Sequence, residues 1–164
     1  MDIESVIGNY KLFLDKVFDH LRAVGFDIAE FAELDHIAYR TESDEAYAAM
    51  KTKLLDFCAA SDEVFFAGRL ILVGRLKKPL DYSGLKIEGI ELLAPKENNK
   101  FKDGLEHAEF VTKLPLPEFL EKHKNIDFKL DAYAREINPE LIVKFSDCAA
   151  KFHAQSLLEV RGIK

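Results

Sequence analysis

Asp35-His36-Ile37-Ala38-Tyr39-Arg40-Thr41 and Glu106-His107-Ala108-Glu109-Phe110-Val111-Thr112 share one order of residue types: acid, His, apolar, variable, aromatic, variable, Thr. Both alternate as half-buried strands do, so His36, Ala38 and Arg40 share one face and Ile37 and Tyr39 the other. Each is followed by a helical pattern and then by three strand-like segments. These are Val64–Ala67, Leu70–Leu76 and Leu85–Leu93 in the first half, and Phe128–Ala134, Leu141–Phe145 and Ala149–His153 in the second. A βαβββ order met twice reads as two modules. The expected fold is therefore α+β, with modules at 31–95 and 104–164 forming a curved, cup-like mixed β-sheet. A polar linker is expected at 96–103 and a helical N-terminal extension at 1–30.

That extension carries the clearest helix. Ile3, Val6, Ile7, Tyr10, Phe13, Leu14, Val17, Phe18 and Leu21 recur at three and four, from an N-cap at Asp2 to a stop at Gly25. Its stripe needs the outside of a sheet or a second subunit to cover it, which leaves monomer and homodimer open. A second helix is expected from a Thr41-Glu42-Ser43-Asp44 capping box, with Tyr47, Met50, Leu54 and Cys58 on its apolar face. Pro115 and Pro117 suit a third helix start, and a short helix from Ser156 closes the chain.

Composition narrows the function. The chain has 164 residues, a net charge of −6 and 13 Phe to fill a core. No apolar run approaches the roughly 18 residues of a membrane span, and MDIESVIGNY has acids where a secretory leader has bases. A cytoplasmic protein is expected, with no membrane partner. No nucleic-acid partner is expected either, since Arg75-Leu76-Lys77-Lys78 is the only basic run and reads as a solvated strand end. Cys58 and Cys148 form no CxxC pair. No glycine-rich nucleotide loop and no nucleophile elbow occurs.

The repeat also carries a geometric expectation. If the first strands of both modules line one concave sheet, His36 and His107 meet across a pseudo-two-fold axis. Each module's last strand then adds a facing residue, Glu91 in the first half and His153 in the second. Three imidazoles and a carboxylate suit a divalent metal: Zn, Fe, Ni or Mn. Glu91 stands in the apolar run Ile90-Glu91-Leu92-Leu93, where a carboxylate needs a metal or a basic partner. Glu109 alternates onto the face of His107. It is open to three roles: catalytic base, orienting partner of an imidazole, or ligand in a His107-x-Glu109…His153 set. Arg40 and Arg69 are candidate clamps for a substrate carboxylate or phosphate, with plain ion pairs as the alternative.

The phrases DHIAYR (35–40), GLEHAEFV (104–111) and KFHAQSLLEV (151–160) resemble the YecM-like family of the vicinal oxygen chelate superfamily, which includes glyoxalase I and extradiol dioxygenases. The resemblance covers almost the whole chain. It implies metal ligands on the first and last strand of each module, at His36, Glu91, His107 and His153. Many superfamily members carry a carboxylate at the last of these, where this chain has His153. What the resemblance implies is a metal-dependent isomerase, lyase or dioxygenase acting on a small molecule with vicinal oxygens. The alternatives are a non-catalytic metal- or small-molecule-binding module and a metal-free domain with structural histidines.

Overall fold

The computed structural model describes residues 2–98 and 101–164; the expected linker at 96–103 therefore includes two positions, 99 and 100, outside the described residues. Seven strands form one curved sheet. They are β1 (Phe31–Arg40), β2 (Cys58–Phe66), β3 (Arg69–Tyr82), β4 (Leu85–Leu93), β5 (Gly104–Thr112), β6 (Leu141–Lys144) and β7 (Ala149–His153), in the order β2-β3-β4-β1-β5-β7-β6. β1 and β5 lie antiparallel at the centre. Outward from them, β4 runs parallel to β1, and β7 runs parallel to β5. β3 and β6 follow antiparallel, so the two halves mirror one another about the β1–β5 seam. The parallel returns require crossovers, supplied by α3 (Asp44–Leu55) and α4 (Leu116–Lys122).

The second half is abbreviated. The strand expected over Phe128–Ala134 is reduced to a single bridge, Lys129 to Ile142. Beyond it the backbone turns on itself, with Tyr133 N–H donating to Leu130 C=O and Arg135 N–H to Ala132 C=O. Asn138 has a positive φ of 49° and precedes Pro139, which lacks an N–H donor, so this stretch cannot extend a ladder.

Other local expectations change as well: β2 starts at Cys58 rather than Val64, and β3 runs on to Tyr82 rather than ending at Leu76. The first helix is two, α1 (Glu4–Ile7) and α2 (Tyr10–Ala23). Gly8, at φ 83°, ends one, and the Asn9 side chain accepts from Leu12 N–H to cap the next. The cap of α3 is Ser43, which accepts from Ala46 N–H, while Thr41 donates to Leu93 C=O. Cys58 opens β2, where Gly74 leaves room for its sulfur. At the C-terminus α5 (Leu157–Val160) starts at Ser156 as expected.

The helical stripe finds its cover within the chain. Leu14, Val17, Phe18 and Leu21 are buried against the convex face, and Phe18 meets the edge of Phe110 at 5.6 Å between ring centroids. Phe152 on β7 lies in a cluster of rings, 5.0 Å from Phe26, 5.3 Å from Phe119 and 5.5 Å from Phe31. A smaller apolar group occupies part of the concave side, where Leu158 and Ile163 pack on Ala38, Ile71, Val73 and Leu93. The convex core thus holds the sheet in place while the concave face is left for polar residues.

Replacing Phe152 with Ala should cost about 3–5 kcal/mol of stability, because the surrounding rings cannot collapse into the space. Urea unfolding followed by circular dichroism is expected to show a lower midpoint at an unchanged m-value.

Candidate metal centre

Strand pairing assembles the polar cluster. Across the β1–β5 seam His36 faces Glu109 and Ala38 faces His107, while β4 brings Glu91 beside Ala38. His36, Glu91, His107 and Glu109 are all buried, and each offers a ligand atom within 4.8 Å of the others. His107 Nε2 lies 3.2 Å from Glu91 Oε2 and 3.1 Å from Glu109 Oε1. His36 Nε2 lies 3.4 Å from the same Glu109 oxygen and 3.9 Å from Glu91 Oε2. Gly89, opposite His36, makes room for this packing: a Cβ there would stand 2.7 Å from His36 Cβ.

Two β-bulges orient the imidazoles. On β1, Asp35 is the extra residue between Leu34 and His36; on β5, Glu106 is the extra residue between Leu105 and His107. Strand alternation assigns each acid to the face opposite its histidine, and the bulge reverses this. Asp35 Oδ2 lies 2.8 Å from His36 Nδ1, and Glu106 Oε1 lies 3.6 Å from His107 Nδ1. Asp35 is held in turn by Leu157 N–H at the start of α5, 2.9 Å away. A carboxylate behind Nδ1 leaves Nε2 aimed at the centre, as in metal-binding histidines. His36 Nε2 and Glu91 Oε2 are buried with no hydrogen-bond partner. Orphaned polar atoms of this kind are costly, and a divalent cation among the four donors would satisfy both. The described residues therefore fit a divalent metal, and two imidazoles with two carboxylates suit Zn, Fe, Ni or Mn.

The register separates His153 from this set. Glu91 pairs with Ala38, two residues after His36, and the equivalent position two residues after His107 is Glu109, which pairs with Lys151. Lys151, not His153, is thus the symmetry mate of Glu91, and its Nζ lies 3.2 Å from Glu109 and 3.7 Å from Glu140. His153 stands one step further along the same face. Its Nε2 is 3.5 Å from Asp35 and 3.7 Å from Glu109 Oε2, and its Nδ1 is 3.2 Å from Asn138. Arg40 turns away from the centre onto the Phe101 ring and Lys102 C=O, with Glu106 3.9 Å off. Asp35, Glu106 and Lys151 are the participants that the sequence reading passed over. The acid-His doublet in both repeats is the signal for the first two, and the alternation Lys151-Phe152-His153 for the third.

Burial pushes the His36 imidazole towards neutrality, but Glu109 and Asp35 outweigh it and raise its pKa well above the ordinary value. For His107, burial and Lys151 are outweighed by Glu106, Glu109 and Glu91, which raise it to about 9. Burial would raise the Glu109 pKa; His36, Lys151 and His107 instead hold it well below the carboxylate range. Glu91 is lowered against its burial by His107 and His36, and Glu106 falls to about 2 through His107, Arg69 and Arg40 despite burial. His153 goes the other way: burial dominates, and its pKa is lowered.

The centre opens into a cleft of about 500 Å³ whose lining includes Glu91, Glu109, Lys151, Arg69, Phe66 and Ile137. A second cleft of about 550 Å³, lined by residues such as Tyr10, Lys77 and Asp81, contains no histidine. Away from both, His20, Asp147 and Cys148 form a half-exposed group of three donor types.

A family model described as YecM protein matches residues 2–161. Among solved structures, a structural-genomics protein is similar over 100% of this chain and 97% of its own, at 22% identity and a TM-score of 0.76. Methylmalonyl-CoA epimerase from Mycobacterium tuberculosis is similar over 80% of this chain and 93% of its own, at 12% identity and a TM-score of 0.55. These likenesses concern the fold. No curated protein matches the chain in sequence.

The charge arrangement has a measurable consequence. In the metal-free protein both central imidazoles are raised, so they are protonated at pH 7, and a metal can use their Nε2 lone pairs only when those protons leave. Calorimetric titration with Zn²⁺ in buffers of differing ionisation enthalpy should therefore register release of about two protons at pH 7. Without metal, the raised His107 contributes stability that is fully present below its unfolded value, about 6.5. That contribution is lost as pH rises through about 9, which thermal melts across pH 6–10 would detect.

Proposed function

The chain belongs to the YecM protein family and has the glyoxalase-like fold of the vicinal oxygen chelate superfamily; from this we propose a metal-dependent enzyme acting on a small molecule with two neighbouring oxygens, by isomerase, lyase or dioxygenase chemistry. The observation that carries this reading is the convergence of His36 Nε2, Glu91, His107 Nε2 and Glu109, two of those atoms being buried orphans, with Glu91 and Glu109 lining the cleft. These four residues would hold the ion. A bound divalent metal would supply Lewis-acid stabilisation of negative charge developing on a substrate oxygen.

The protein's own groups divide the remaining work. Asp35 keeps the His36 imidazole in one tautomer and orientation through a 2.8 Å contact to Nδ1, while Glu106 sets a negative charge 3.6 Å behind His107 Nδ1. Lys151 neutralises part of the carboxylate charge and pins Glu109. Glu109, expected as a candidate base, is too weakly basic for that role near neutral pH when its pKa is held so low. His153 fits it better. Burial keeps the imidazole neutral, and its Nε2 has no hydrogen-bond partner beside the centre. We assign His153 as the group that accepts a proton from substrate, rather than as a ligand.

A non-catalytic metal-holding module is the second reading. It is favoured by one observation: Leu158 and Ile163 fill part of the concave face that a substrate would otherwise use.

Elemental analysis of untagged protein purified without chelator tests both the ion and the division of roles. Wild type is expected to carry close to one equivalent of divalent metal. His36→Gln and His107→Gln should each lower that content at least tenfold, in a fold intact by circular dichroism. His153→Gln should keep it. Loss of metal from His153→Gln would make that residue a ligand, and a wild type that takes up no Zn²⁺, Fe²⁺, Ni²⁺ or Mn²⁺ would end the metalloenzyme reading.

A further inference from the structure

The cleft above the centre runs against the charge of the chain. The whole protein carries −6, yet the cleft lining holds six basic side chains (Arg69, Lys96, Arg135, Lys144, Lys151 and Arg161) against four carboxylates. Three of the six are engaged by acids: Lys151 by Glu109 and Glu140, Arg135 by Glu140, and Arg161 by Asp62. The other three, Arg69, Lys96 and Lys144, make no ion pair among the described residues, and of these Lys144 is exposed to solvent.

Arg69 and Lys96 come from adjoining strand ends. Arg69 opens β3, and Lys96 follows β4 by three residues. Ala94 N–H donates to Leu70 C=O at 3.0 Å, which ties the two ends together. Arg69 Nε is buried without a partner, and Nη1 has one long contact, 3.5 Å, to Ala94 C=O. Burial and the positive charges of Arg69, Lys151 and Arg135 lower the Lys96 pKa, and the Glu106 carboxylate opposes this only in part. Arg69, Ile71 and Val73 alternate onto the concave face, and Val73 pairs with Glu91. Arg69 therefore starts about 13 Å along the strand from the centre, at 3.3 Å per residue. At the mouth Arg135 lies over the Phe66 ring, 5.0 Å from its centroid.

We propose that Arg69 and Lys96 bind an oxoanion, carboxylate or phospho group, at the far end of the substrate from the oxygens at the metal centre. The substrate class is a small acid with two vicinal oxygens at one end and a second anionic group a few bonds away. This rests on the metal-centre reading above. A bidentate or forked contact to Arg69 satisfies its buried N–H and gives the substrate one direction in the cleft. The distal group accordingly acts in recognition, through affinity and orientation.

The test uses Zn²⁺-loaded protein and three kinds of probe, followed by calorimetry. Oxalate has the vicinal oxygens alone. 2-Oxovalerate adds a neutral tail. The 2-oxo diacids oxaloacetate, 2-oxoglutarate and 2-oxoadipate add a distal carboxylate at increasing reach, and 4-phosphono-2-oxobutanoate adds a phosphonate. At least one distal anion should bind about tenfold or more tightly than 2-oxovalerate, the carboxylate and phosphonate arms deciding which oxoanion is preferred. Arg69→Gln with Lys96→Gln should bring that preference to within about twofold while leaving oxalate affinity and metal content unchanged. Equal binding of 2-oxovalerate and every distal anion by wild type, with oxalate bound, would overturn this proposal alone. So would a preference that survives the double substitution. Failure of oxalate to bind metal-loaded protein would instead remove the metal-centre reading, and this inference with it.

Discussion

The antiparallel pairing of β1 with β5 is the constraint on which the rest depends. One register sets His36 beside Glu109 and Ala38 beside His107, and small Ala38 leaves space between the two imidazoles for Glu91 from β4. A slip of one residue would turn both histidines into the convex core. The register is held from behind, because Phe31, Phe110 and Phe152 on three neighbouring strands form one ring cluster, with Phe31 and Phe110 4.7 Å apart between centroids. The polar face is thus specified by the packing of the apolar one.

The bulges at Asp35 and Glu106 show how the two halves have diverged in chemistry while keeping one backbone plan. Both place an acid behind a histidine. Position two residues on is Ala38 in one half and Glu109 in the other, and its partner on the last strand is Glu91 in one and Lys151 in the other. Burying Lys151 beside Glu109 and Glu140 offsets carboxylate charge in the cluster, and breaking such a pair leaves an uncompensated charge. The centre is therefore built asymmetrically on a symmetric frame. No helix among the described residues is long and apolar enough to cross a membrane. The apolar stripe of α2 is buried against the sheet it covers.

Much of this was legible in the sequence, for identifiable reasons. The acid-His-x-x-aromatic-x-Thr repeat located β1 and β5 and the pair His36 and His107, because strand alternation survives in side-chain type. β4 and β7 match their expected bounds, as compact apolar runs closed by turns. What alternation could not see were its own exceptions. The two bulges put Asp35 and Glu106 on the face of the histidines, and the offset of the last strand put Lys151 where His153 was expected to point. Both depend on which residue of a neighbouring strand lies opposite, and no single-strand pattern carries that. The missing strand at Phe128–Ala134 has the same lesson in reverse: an apolar spacing suited to a strand, overridden by the turns before Asn138-Pro139.

The most direct test of the central claim is X-ray absorption at the Zn edge of protein loaded with one equivalent. The described residues hold two candidate groups, and their donors differ: His36, Glu91, His107 and Glu109 offer only nitrogen and oxygen, whereas His20, Asp147 and Cys148 include sulfur. The expected spectrum has a single nitrogen/oxygen shell at about 2.0–2.1 Å with multiple scattering from two imidazoles. A sulfur shell near 2.3 Å would place the ion at the other group and contradict the assignment of the metal to the β1–β5 seam.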